Sequence, residues 1–114
     1  MRKSNMLAAV LGAAVIGLGT SGVAQAADGA TVYKTKTCIA CHGVGGAKPI
    51  MPAYPKLAGQ NAKYIEDQIK DIISGARANG QAAAMKGALV NPDGDARISD
   101  EEIKAVAEWL SSQK

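Results

Sequence analysis

Phenylalanine is missing from all 114 residues, and the only aromatic side chains are three Tyr and one Trp. A chain so poor in large rings has little with which to fill a core of its own. Histidine occurs once and cysteine twice. A structural zinc site closes with four ligands, and these three side chains cannot supply four. Charge of one sign is also scarce. Of thirteen basic residues, Arg2 and Lys3 lie in the N-terminal segment; the other eleven face ten acidic residues, a net of +1. That balance gives no basic footprint for nucleic acid, and no nucleic-acid partner is expected. Long apolar runs are absent too. The compact apolar run Met6–Gly19 has 14 residues, short of the roughly 20 that a membrane-spanning helix needs, and Thr20, Ser21 and Gln25 weaken any extension of it.

The scarce residues are gathered in one place. Cys38-Ile39-Ala40-Cys41-His42 holds both cysteines and the histidine within five positions. C-x-x-C-H is the attachment signature of covalent haem. Two thiols three positions apart can each add to one vinyl group of the macrocycle, giving two thioethers. His42 then follows directly and can offer a nitrogen to the iron. Three other readings use the same residues. A zinc site would need a carboxylate as fourth ligand. A thioredoxin-like pair needs a βαβ setting, and no convincing strand pattern is present. A plain Cys38–Cys41 disulfide with a surface histidine remains chemically possible in an oxidising compartment.

The N-terminus suits an exported protein. Arg2 and Lys3 form a positive n-region, Met6–Gly19 an apolar stretch, and Ala24-Gln25-Ala26 an A-x-A cleavage site. This order is that of a secretory signal peptide. Residues 1–26 are expected to be removed, with cleavage after Ala26 or, alternatively, after Ala27. Removal of 26 from 114 residues leaves 88, one domain comprising residues 27–114. The expected location is the periplasm, with no membrane span after cleavage. Covalent haem would supply the apolar surface that the side chains lack.

Helical periodicity dominates the rest. Asp28–Thr37 reads as a short helix capped by Asp28, with Ala30, Tyr33 and Thr37 on one face. Gly43–Pro55 reads as loop, because six of its residues are Gly or Pro. Asn61 is a plausible N-cap and Gly75 a C′ residue for a helix with Tyr64, Ile65, Ile69, Ile72 and Ile73 along one stripe. Gly75–Gly94 reads as irregular. The last helix starts at Ser99, which forms a capping box with Glu102. Ile103, Val106, Ala107 and Leu110 follow at i, i+3, i+4 and i+7. This face and Trp109 are expected to pack against the first helix near Tyr33.

A second iron ligand would come from methionine, whose sulfur raises the reduction potential and suits electron transfer. Met51 lies nine residues beyond His42 and is tethered close to it. Met85 lies 43 residues beyond, after a complete helix, in a stretch read as free to cross the distal face. Met85 is therefore the expected ligand.

Taken together these residues resemble the class I c-type cytochromes, of the small monohaem c553/c5-like or c4-like bacterial kind. The resemblance rests on C38-I-A-C-H-G43, on P55-K-L-A-G-Q60 followed by Tyr64 and Gly75-Ala76-Arg77, and on Met85 and Trp109. It covers essentially all of residues 27–114. It implies an all-α cytochrome c fold of three main helices around one covalently bound haem c and its iron. It also implies that the carbonyl of Pro55 accepts a hydrogen bond from the His42 ring, with Pro52 as the rival acceptor. Two departures from the pattern are visible. Val90–Asp95 looks like an insertion, and the ligand loop is reduced to Ala82-Ala83-Ala84-Met85.

The function implied is that of a one-electron carrier between redox protein partners, with Cys38 and Cys41 tethering the haem and His42 and Met85 holding the iron. Such a protein transfers electrons and is not an enzyme. Two alternatives use the same haem. One is an electron-accepting subunit of a dehydrogenase, for example one oxidising a sulfur compound. The other is a haem sensor with an open or labile sixth position.

Overall fold

The computed structural model describes residues 27–114, so the signal peptide expected at 1–26 lies outside the described residues. Five α-helices follow in order: α1 Gly29–Thr35, α2 Cys38–His42, α3 Ala62–Ser74, α4 Ala82–Leu89 and α5 Asp100–Ser111, with a 3₁₀ turn at Val44–Gly46 after α2. Among the described residues the only β pairing is a single bridge between Val90 and Ala96.

The helix starts follow local chemistry. Asp28 caps α1, its carboxylate accepting from the Thr31 N–H at 3.1 Å. Asn61 caps α3 through the Tyr64 N–H, and Gly75 closes that helix in the left-handed conformation. Ser99 and Glu102 form the reciprocal box at α5, with bonds of 3.1 and 2.9 Å. Each cap satisfies backbone groups that a helix end leaves without partners.

Two readings of the sequence are corrected here. The first helix stops at Thr35 and does not run to Thr37. Thr37 adopts φ +64°, the only positive φ outside glycine among the described residues. A β-branched residue is strained there, and the kink starts α2 on a new axis, leaving Thr37 exposed and off the Tyr33 face. The second correction concerns 75–94. That stretch contains α4, because Ala82-Ala83-Ala84-Met85 is strongly helix-forming and outweighs Gly87. Met85 thus sits on a helix and not in a loop.

The residues after α4 make a short excursion. Asn91–Gly94 makes a turn closed by the Gly94 N–H on the Asn91 carbonyl at 2.9 Å, with Gly94 at φ +97°. The Lys36 ammonium donates to the Arg97 carbonyl at 2.7 Å and pairs with Glu102 at 3.7 Å, tying this excursion to the segment just before α2.

The core is aliphatic. Val32, Tyr33, Ile65, Ile69, Leu89, Ile98, Ile103, Val106, Ala107 and Leu110 form one buried cluster, with Met85 and Trp109 packed at its edge. Tyr33 and Trp109 meet with ring centroids 5.1 Å apart, so α1 and α5 pack as expected. Gly29 permits that crossing. A Cβ at this position would overlap the Ala105 carbonyl oxygen and the Trp109 Cβ. Gly29→Ala should therefore cost about 1–3 kcal/mol, the usual range for overpacking. Denaturant unfolding measures it; an unchanged midpoint would mean that the helices can part without loss.

Candidate haem site

The site is built on α2. A five-residue helix places Cys38 and Cys41 one turn apart, and both thiols are free. Cys38 packs against the core cluster, and burial pushes its thiol up to about 11. Cys41 is exposed. Neither forms a disulfide. Among the described residues no three His, Cys, Asp or Glu side chains converge as metal ligands, which disfavours zinc. Among the described residues there is no strand beyond one isolated bridge, so the C-x-x-C pair has no βαβ setting for the thioredoxin reading.

Apart from the Tyr33 hydroxyl, His42 is the one buried polar side chain among the described residues, 7% exposed. Burial lowers its pKa below the usual value, against the opposing effect of its bond to Pro55, so the neutral ring is favoured at neutral pH. Its Nδ1 lies 3.0 Å from the carbonyl oxygen of Pro55. A carbonyl only accepts, so Nδ1 carries the proton and donates. The lone pair is then on Nε2, the state needed to bind a metal. Pro55, and not Pro52, supplies the acceptor. The Tyr54 ring stands nearby, its centroid 6.3 Å from that of His42.

The chain between His42 and Pro55 is held at several points. Gly43 has φ +80°, and a Cβ there would overlap the Lys48 carbonyl. The Ile50 N–H donates to the Cys41 carbonyl at 3.1 Å. This loop also carries three of the exposed large apolar side chains, Val44, Ile50 and Met51; Tyr64 of α3 is the fourth. Of the two methionines weighed as ligands, Met51 is 46% exposed, whereas Met85 is half-buried against the core.

These side chains suit covalent haem. Two free thiols share a helical turn, a neutral imidazole has its proton fixed on the far nitrogen, and a thioether lies on a separate helix. The Tyr33 hydroxyl, which donates to the Gly43 carbonyl, was not visible as part of this site from sequence. The only available signal was that a buried tyrosine needs a partner.

The cytochrome c family model matches residues 26–114. The chain is 42% identical over 81 residues to cytochrome c-554(548) of Halomonas halodenitrificans, covering 71% of this chain and 89% of that protein. It is 38% identical over 99 residues to cytochrome c4 of Pseudomonas aeruginosa, covering 85% of this chain but only 44% of that protein. It is also 38% identical over 76 residues to a thiosulfate dehydrogenase electron acceptor of Thiomonas intermedia, covering 67% of this chain and 32% of that protein. The chain therefore spans less than half the length of the latter two relatives.

A helical fold bearing a C-x-x-C-H helix with this neighbourhood defines a class I c-type cytochrome. The chain belongs to the cytochrome c family. Its cofactor is covalently bound haem c with iron, and it is an electron-transfer protein, not an enzyme.

Proposed function

We propose that the chain is a periplasmic one-electron carrier in which Cys38 and Cys41 tether the haem and His42 and Met85 hold its iron. The observation that carries this reading is the Pro55 carbonyl on His42 Nδ1 at 3.0 Å, which leaves Nε2 as the free donor. When bound, the haem supplies an iron that gains and loses one electron. The protein residues keep the cofactor in place and set its ligands. Two thioethers prevent its loss, the Pro55 bond fixes the imidazole tautomer and raises its donor strength, and methionine sulfur favours the reduced state. Among the described residues no helix is long and apolar enough to cross a membrane.

Intact mass of the exported protein after denaturation tests both the tether and the leader. The expected mass is that of a chain beginning at Ala27 or Asp28 plus one haem. A mass without haem would sink the covalent reading. Retention of Met1–Ala26 would make the protein membrane-anchored.

A second reading is an electron-accepting subunit bound to a dehydrogenase. The name of the Thiomonas intermedia relative favours it. Native purification separates the two readings: a carrier elutes alone, a subunit with a catalytic chain.

A further inference from the structure

We propose that the buried hydroxyl of Tyr33 is a positioning group for the His42 ring, fixing the turn from which the Pro55 acceptor is hung. The inference rests on His42 as an iron ligand and extends it to the hydrogen-bonded shell behind that ligand. Tyr33 is 1% exposed and lies on α1, outside the haem-attachment motif that begins at Cys38. Its hydroxyl donates to the Gly43 carbonyl, one residue beyond His42. The same carbonyl accepts from the Gly46 N–H at 3.1 Å, closing the 3₁₀ turn.

From that turn the connection continues. The Gly46 carbonyl accepts from both the Leu57 N–H, at 2.8 Å, and the Ala58 N–H, at 3.1 Å. Leu57 is two residues beyond Pro55, whose carbonyl takes the Nδ1 proton of His42. The acceptor of the iron ligand is therefore hung from the turn that Tyr33 pins at its first residue. The turn needs an outside anchor because Gly43, Gly45 and Gly46 all have positive φ, and a run of glycines has little intrinsic stiffness. Burial pushes the Tyr33 phenol up to about 12, so it stays protonated and remains a donor at physiological pH. The bond between His42 and Pro55 controls how strongly the imidazole donates to iron, and Tyr33 thereby acts on the potential without touching the ring.

The test compares Tyr33→Phe with Val106→Ala in the holoprotein. Tyr33→Phe retains the ring, and Gly43 keeps its bond from Gly46, so no buried acceptor is orphaned. Val106 is fully buried in the same core cluster as Tyr33 and makes none of the hydrogen bonds that hold the turn, so its truncation lowers stability and leaves those bonds in place. Two quantities are read: the NMR shift of the His42 Nδ1 proton in the reduced protein, and the midpoint potential. Tyr33→Phe should move the proton upfield, as its bond to Pro55 lengthens, and raise the potential, because a weaker imidazole donor stabilises the oxidised iron less. Val106→Ala should move neither. Equal shifts in the two variants, or none in Tyr33→Phe, would overturn the proposal. In the unmutated protein the Tyr33 hydroxyl proton should exchange slowly enough to give its own resonance; exchange like that of a free phenol would also overturn it. A His42 ring with no haem-shifted resonance before any mutation would sink the ligation itself, and the proposal with it. A haem-shifted ring indifferent to Tyr33→Phe would sink the proposal alone.

Discussion

Met85→Ala should abolish the weak far-red absorption of iron–methionine bonding, lower the reduction potential and open the iron to carbon monoxide. Met51→Ala should leave all three unchanged. The contrast comes from where the two thioethers stand. Met85 is half-buried on α4, on the face that also carries the buried Ala82 and Leu89, and it packs against the core cluster. A sulfur held this way loses little freedom on binding a metal. Met51 is 46% exposed, in the loop that leaves His42. Replacing a methionine sulfur by water removes the ligand that favours reduced iron, so the potential falls and carbon monoxide saturates a site that excluded it. Spectra of the oxidised protein, a redox titration and carbon monoxide addition to the reduced protein check the three arms. Loss of the band in Met51→Ala but not in Met85→Ala would reverse the assignment. Ready carbon monoxide binding by the unmutated protein at neutral pH would favour the sensor reading over the carrier.

Leu110→Ala should have the largest effect on stability, about 2–5 kcal/mol. Leu110 is 1% exposed on α5. Its side chain lies against Gly46, where an added Cβ would come within 2.7 Å of Leu110 Cδ2, and its carbonyl accepts from the Gly59 N–H at 3.0 Å. Truncation opens a cavity between α5 and the turn beside the haem motif, with little slack nearby to close it. In a domain of this size each kcal/mol lowers Tm by about 4–8 °C, so thermal melting of the holoprotein resolves the change easily. A loss below about 0.5 kcal/mol, as at surface sites, would mean that the helix face is misassigned.

The legible parts of this chain were those governed by neighbours in sequence. Asn61, Ser99 and Glu102 define helix starts through bonds reaching only three residues, and those starts stand as read. The apolar stripe of α5 was equally readable, because its period is set by the helix itself. Helix α4 is hidden in the sequence by the glycines around and within it, which read as breakers although the run of three alanines outweighs them. The kink at Thr37 had no local signal. A threonine at φ +64° is held by its surroundings against its own preference. Pairing between His42 and Pro55 is expected only through the family resemblance, since the partners stand thirteen positions apart across a glycine- and proline-rich loop. The anchor from Tyr33 to Gly43 depends on how α1 lies across the turn, and no pattern in the chain encodes that.

The crossing of α1 with α5 joins segments from opposite ends of the folded part, and this has a consequence for timing. Gly29 and Tyr33 cannot find Ala105 and Trp109 until nearly the entire chain is available. Closing so long a loop costs entropy that short-range contacts do not repay. Until then the C-x-x-C-H stretch lacks the packing that covers Cys38 and His42, so both should be most accessible before the last helix docks. A circular permutant that puts α5 directly before α1 would remove that delay, and should gain folding speed at the expense of haem incorporation.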